Sequence, residues 1–454
     1  MTARPGLLER EGAWSAAALL GVIALAYANS LASPFQFDDY QVIVGNPAVH
    51  DLHSLARSLA GGIRPLLRSA ECLCWIAGNG APWPFHVLNL IVHALNALLV
   101  AALGLRLFES GGVPEASARR AAWIAAAVFA LHPVNTEAVT YLSGGSVALA
   151  TLFQLAALWF YDRHLAHGRC ADWALALGCL VCALATRETS ATLPVLLMLW
   201  ESLSVRARDP LRVRVLRIAP FWLLLAAAAL LALQHGYAAF FAASLEARRP
   251  WDNALTQIHA YGWLLKQFFL LAPLDLDPDL PVRHAPDAAS VLQALLLVAL
   301  LASALALRGR ARWAAFCAAW GVLGFLPTNS LLPRLDVAND RQWYLPGIAL
   351  CWTLGRLAAA LLARARRPAL VLVASGLLAL AALTALRNAD YRSELALWRQ
   401  TLAQSPHKPR ALNNYGVALR LAGRETEAQA AFLRALAYDP RFTPAQQNLA
   451  VPNR

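Results

Sequence analysis

Asp38 and Asp39 are adjacent carboxylates in SPFQFDDYQVIVGNP (33–47), directly after an apolar run. Two acids side by side at a water boundary raise each other's pKa, because both cannot ionise freely. One of them can then accept a proton near neutral pH, and the pair could bind a divalent cation. Helix capping plus solvated loop charge is the structural alternative. More charged groups sit in other polar stretches: Arg64 in GGIRPLL, His132 and Glu137 in HPVNTEAVTYLSGG, Arg187 and Glu188 in TRET, and Arg341 in NDRQWYLP. Arginine presents a planar fork of donors suited to phosphate. Charges at a membrane boundary are costly and point to function. Each residue also has a plain reading. Arg187 and Glu188 can simply pair, His132 can cap a helix before Pro133, Glu137 can be a solvated loop acid, and Arg341 can anchor an interface beside Trp343 and Tyr344. Together they imply a site for a lipid-linked phosphate.

These groups must be positioned by membrane helices. Of 454 residues, 59% are hydrophobic and 15% charged, against about 45–50% and about 25% in soluble domains. The reading is a polytopic, all-α membrane protein of about eleven spans: 13–31, 85–108, 121–131, 146–161, 173–186, 189–203, 218–234, 291–307, 313–326, 343–363 and 369–385. The first span is read as retained rather than as a cleaved signal. The net charge of +12 comes from arginines clustered between spans, which marks topology rather than nucleic-acid binding. Arg119 and Arg120, Arg163 and Arg169, Arg206 to Arg217, Arg308 to Arg312, and Arg364 to Arg367 all fall on the cytoplasmic side if the N-terminus does. That parity sends Asp38, Glu137, Arg187, Arg341 and the C-terminus outward. The segment 254–271 carries Gln257, His259, Lys266 and Gln267 and is read as an interfacial helix on the outer side. Arginine bias and abundant alanine suggest a GC-rich bacterial genome, hence a bacterial inner membrane.

The division expected is a membrane domain over 1–388 and a soluble tail over 389–454. In the tail, Leu412, Tyr415, Gly416, Leu419, Gly423, Ala428, Phe432, Ala435 and Pro440 fit a tetratricopeptide repeat. Trp398 and Pro406 lie one repeat earlier, and Asn448 lies one repeat after Asn414. One full repeat is thus flanked by two partial ones, a surface suited to a peptide or protein. The seven cysteines show no metal-ligand spacing. The chain has no P-loop, no G-x-G-x-x-G after a strand, no G-x-S-x-G and no H-E-x-x-H. Chemistry at the outer face therefore needs a substrate already activated within the membrane.

FQFDDYQVIVGNPAV, IRPLL, HPVNTEAVTYLSG, TRETSATLPVLL, FLPTNSLL, NDRQWYLP and the tail repeat occur in this order. In that series the chain resembles the transmembrane and tetratricopeptide-repeat-containing proteins, GT-C membrane glycosyltransferases related to protein O-mannosyltransferases. The resemblance implies a GT-C-type helix bundle and transfer of a sugar, mannose or another hexose, from a polyprenyl-phosphate donor to a protein Ser or Thr hydroxyl. By it Asp38 is the acid that deprotonates the acceptor, Asp39 is its neighbour and Glu137 a second acid. Arg64 and Arg341, with Tyr344, take the donor phosphate, and His132, Arg187 and Glu188 support them. No other cofactor is required, though a divalent metal is left open. The partners are the lipid-linked donor, the membrane and an acceptor protein met by the tail, with no nucleic acid. Gly145 and Ser146 stand where the family usually has Arg and an acid, and Asp340 stands where it has Glu. Alternatives left open are a noncatalytic scaffold whose tail binds envelope proteins, transfer to lipid or glycan, and a lipid or sugar transporter.

Overall fold

The computed structural model describes residues 7–59, 63–203, 209–234, 242, 244–246, 248–271, 273, 275–329, 333, 334 and 336–450. The expected cytoplasmic Arg206 and Arg208 lie outside the described residues. Helices account for nearly all regular structure there. In chain order they are α1 (Leu7–Ala26), α2 (Leu52–Leu59), α3 (Pro65–Gly78), α4 (Trp83–Ser110), α5 (Glu115–Leu131), α6 (Thr136–Val139), α7 (Gly145–His167), α8 (Cys170–Thr186), α9 (Leu193–Leu203) and α10 (Leu211–Ala232). They continue with α11 (Pro250–Leu270), α12 (Ala288–Leu307), α13 (Arg312–Leu323), α14 (Gly347–Arg364), α15 (Arg366–Asn388), α16 (Glu394–Gln404), α17 (Pro409–Leu421), α18 (Glu425–Tyr438) and α19 (Thr443–Ala450).

Among the described residues, six segments are long and apolar enough to cross a bilayer: Trp83–Ser110, Leu142–His167, Leu211–Ala232, Ala288–Leu307, Gly347–Arg364 and Arg366–Arg392. The protein is an integral membrane protein. Leu292, Leu295, Leu296 and Val298 of α12 and Leu370, Val371, Leu372 and Leu378 of α15 are exposed, the outward-apolar pattern that lipid demands. The other expected spans appear as shorter or more polar helices, including α5, α9 and α13. The reason is visible in α5. Ala118, Ala121, Ala122, Ala125 and Ala126 are buried, so this helix needs a small-residue face for neighbouring helices rather than a long apolar surface for lipid. Gly355 of α14 packs directly on it, since a Cβ there would stand 2.3 Å from the Ala121 carbonyl oxygen. Gly104 of α4 likewise accommodates the Trp352 indole, whose Nε1–H donates to Val100 O at 2.9 Å.

The segment expected to be interfacial forms α11; Gln257 and Gln267 are buried against protein, whereas Lys266 is exposed. Gln257 donates to Val337 O at 3.0 Å and accepts from Asn329 at 2.6 Å. Trp343 Nε1–H donates to Leu264 O at 2.7 Å. This helix therefore braces the irregular stretch between α13 and α14. At the opposite end of the bundle, Glu201 of α9 receives Arg217 at 2.7 Å and Arg214 at 3.4 Å from the start of α10.

After α15 the chain folds into helical hairpins. Leu412, Leu419, Ala428, Phe432, Ala435 and Ala445 form one apolar cluster, and Gly416 lets α17 approach the Phe432 ring. Leu397, Trp398 and Tyr391 form a second cluster with Tyr141 and Leu276 of the membrane-associated part.

Candidate functional site

The first acidic loop is held from several directions. Ser33 O meets His86 Nε2 at 2.9 Å, and the Gln36 side chain donates to the Tyr391 carbonyl. Phe37 has φ +48°, a left-handed backbone that costs a bulky residue on the order of 1 kcal/mol or more. Residues of the tail hold it there. Its N–H donates to Glu394 Oε1 at 2.5 Å, and its ring meets Trp398 edge-on at 5.0 Å.

This turn sends the two aspartates different ways. Asp39 is buried. Its Oδ2 accepts the Gln36 N–H at 3.0 Å, and its Oδ1 accepts the Ser143 N–H at 2.8 Å and the Ser143 hydroxyl. Burial outweighs these bonds and pushes its carboxyl up to about 7. Asp39 thus pins the loop to the YLSG turn. Asp38 is half-buried. Its backbone N–H donates to Tyr141 Oη at 3.2 Å. Burial raises its carboxyl, while Arg341 and a hydrogen bond from Tyr141 work to lower it. Among the described residues no cluster of three or more His, Cys, Asp or Glu side chains is arranged to hold a metal ion.

Arg341 is central to the site. Its Nε lies 3.4 Å from Glu137 Oε1, its Nη2 lies 3.4 Å from Asp336 Oδ2, and its guanidinium sits 5.9 Å from the centre of the Tyr141 ring. Its backbone N–H donates to Glu137 Oε2 at 3.1 Å. Glu137 is buried in α6; desolvation pushes its carboxyl up to about 7 against the pull of Arg341. Asp340 pairs with Arg387 of α15, which supplies a buried carboxylate with its countercharge.

Beside Arg341 is a partly open cavity whose lining includes Arg187, Arg334, Arg341, Thr151, Gln154, Thr189, Asn339 and Gln342. Three guanidinium groups share this space. Arg187 donates to Ser146 Oγ at 2.6 Å, while its Nε and both amide atoms of Gln342 have no hydrogen-bond partner among the described residues. Burial, and then Arg64, Arg334 and Arg341, lower the pKa of Arg187 well below its ordinary value. Burial and Arg341 lower that of Arg334. Like charges concentrated in a low-dielectric cavity, with donors unspent, favour an anion.

The other expected residues are placed around this centre rather than in it. Arg64 grips Glu188 through two bonds, Nε to Oε2 at 3.0 Å and Nη2 to Oε1 at 2.6 Å. Burial works to raise Glu188, but Arg64 and Arg187 hold it down at about 2. Glu188 thus anchors Arg64 at the rim. His132 accepts the Val134 N–H at its Nδ1 and meets Phe268 O from its Nε2 at 3.1 Å. Burial, with Arg387, lowers its pKa to about 3, so it is a neutral cap. Tyr344 turns into the core, where its hydroxyl meets His93 Nδ1 at 2.7 Å and Asn96 Nδ2 at 3.1 Å. Sequence reasoning did not single out Tyr141, Ser143, Arg334, Asp336 or Gln342. Tyr141 and Ser143 stood inside a quoted motif, and Arg334 and Asp336 inside the polar stretch leading to Arg341. Their location there was the available signal.

No protein-family profile matches the chain. A protein O-mannosyl-transferase of Caenorhabditis elegans is 23% identical over 450 residues, covering 93% of this chain and 62% of its own. The protein O-mannosyl-transferase Tmtc1 of Drosophila melanogaster is 26% identical, covering 98% of this chain and 64% of its own. The mouse protein O-mannosyl-transferase TMTC3 is 31% identical over 159 residues, 32% of this chain. The chain thus spans less than two thirds of the length of these relatives. The proteins it resembles over nearly its whole length are the protein O-mannosyl-transferases.

Proposed function

We propose that this chain is an integral-membrane glycosyltransferase that moves a hexose from a polyprenyl-phosphate donor to a hydroxyl of an extracytoplasmic protein. The carrying observation is that one guanidinium, Arg341, borders both the three-arginine cavity and the Tyr141–Asp38 pair. In this reading the donor phosphate occupies the cavity among Arg187, Arg334 and Arg341. The acceptor hydroxyl approaches Asp38. Its oxygen forms the new bond to the anomeric carbon as the bond from that carbon to the phosphate oxygen breaks. The hydroxyl proton passes to the Asp38 carboxylate, and the electron pair leaves with the phosphate, whose charge the arginines stabilise. Phosphate leaves readily as an anion, so a separate general acid is not required. Glu137 keeps Arg341 in place. Names of the relatives support a protein acceptor.

Residues 1–388 form the membrane domain, and residues 389–454 a tetratricopeptide-like domain that presents the acceptor. The site and the tail lie on the outer face of a bacterial inner membrane, as the arginine clusters favour.

The test is Asp38→Asn, assayed for transfer of mannose from polyprenyl-phosphate mannose to envelope protein or peptide. Loss of a positioned base costs about 10²–10⁴-fold in rate. Undiminished transfer by a well-expressed Asp38→Asn chain refutes the assignment.

A further inference from the structure

We propose that Arg410, a residue of the tail helix α17, is a positioning residue for the anion cavity: by neutralising Asp336 it leaves Arg341 free to hold a phosphate. The inference rests on the phosphate reading of that cavity.

Asp336 divides its carboxylate between two cations. Its Oδ1 receives Arg410 Nη2 at 2.5 Å, and its Oδ2 faces Arg341 Nη2 at 3.4 Å. The shorter bond belongs to the residue that does not line the cavity. Arg410 is itself fixed from the other side. It forks onto Asp277, Nε to Oδ2 at 2.6 Å and Nη2 to Oδ1 at 2.5 Å, and Lys408 Nζ adds a third contact to Asp277 at 3.8 Å. A bidentate arginine–carboxylate pair is geometrically specific, so Arg410 meets Asp336 from a fixed position.

Burial works to raise Asp336, but Arg410 and Arg341 together hold it below the ordinary carboxylate range. It is therefore an anion beside the cavity. A carboxylate 3.4 Å from Arg341 competes with any phosphate for that guanidinium. Arg410 removes much of this competition. Without it, more of the charge of Asp336 falls on Arg341 and draws it away from Glu137 and from the cavity. Arg410 thus acts without touching the ligand.

This makes a prediction that a simple structural brace does not. Removing Arg410 should harm anion binding, and removing Asp336 as well should repair it. The probe is undecaprenyl phosphate, titrated against the full chain in nanodiscs, with deuterium uptake of residues 394–450 as a check that the tail remains folded. Arg410→Gln should weaken binding about tenfold, and Asp336→Asn/Arg410→Gln should bind within about twofold of Asp336→Asn alone. Arg410→Lys should retain most of the affinity. A double variant as weak as Arg410→Gln overturns the inference, as does an Arg410→Gln chain that binds like the wild type. A wild-type chain with no affinity for undecaprenyl phosphate overturns the phosphate reading and the inference with it.

Discussion

The guanidinium of Arg341 lies over the ring of Tyr141, 5.9 Å from its centre, while the hydroxyl of the same tyrosine meets Asp38. One side chain therefore separates the group read as a base from the group read as a phosphate ligand. Its ring and its hydroxyl serve different neighbours, and substitution can separate them.

Tyr141→Phe keeps the ring beneath Arg341 and removes the hydrogen bond to Asp38. A net hydrogen bond to a charged group is worth about 1.5–3 kcal/mol. Turnover should fall by about tenfold or more, with little change in the KM for donor. Steady-state kinetics on both substrates would separate the two constants; a rise in donor KM alone would assign the tyrosine to binding.

Arg334→Gln should trade binding for stability. The native cavity holds Arg187, Arg334 and Arg341 together; burial lowers the pKa of Arg187 and Arg334, repulsion from Arg341 adds to both, and Arg334 adds to that on Arg187. Removing one relieves that repulsion. Without ligand the variant should melt a few degrees higher, with roughly 0.5–2 kcal/mol gained. Its affinity for polyprenyl phosphate should fall. Thermal melts with and without the lipid check both halves, and a variant less stable than wild type contradicts the repulsion argument.

Glu137 gives a pH dependence with a definite sign. Its carboxyl rises from 4.5 to about 7 in the folded chain. Between those values the folded chain keeps a proton that the unfolded chain has lost, so this group's contribution to stability is present at low pH and disappears as pH rises toward about 7. Glu137→Gln has no such proton to lose. In detergent, its melting temperature should decline less over that interval than the wild type's. Parallel declines would move the effect to another buried acid, since burial also raises Asp39 and Asp275 to about 7 and Glu71 to about 8.

Gly355→Ala tests the packing that carries α6 and its glutamate. The added Cβ would meet the Ala121 carbonyl at 2.3 Å and Ala125 at 2.8 Å. Overpacking of this kind costs about 1–3 kcal/mol. The variant should lose stability and transfer activity together. Unchanged melting behaviour would show that α5 and α14 separate more easily than their contact suggests.

Asp38, Glu137 and Arg341 were legible because each is a charge near the edge of an apolar run, where burial is expensive. The all-helical membrane fold was legible from composition for the same reason. Legibility failed wherever a partner lay far along the chain. Asp336 and Arg410 are 74 positions apart, and no periodicity links them. Tyr344 shares its segment with Arg341, yet its ring points to His93 rather than to the cavity, a choice made by core packing. Six of the expected spans meet the length and hydropathy of a crossing helix among the described residues; alanine-rich helices such as α5 are lined by protein, so their length carries no information about bilayer thickness.

The loop bearing Asp38 is shaped by residues made much later in synthesis. Gln36 is bound to Tyr391, Phe37 to Glu394 and Trp398, and Asn388 donates to Ala26 O at 3.1 Å. Pairings this remote close late in folding. While the ribosome is still short of residue 398, the first loop has no means of holding its left-handed turn. Interrupted or clipped chains would thus enter the membrane with this loop unformed, and the Asp38 turn would take its shape only when residues 388–398 come back to meet it.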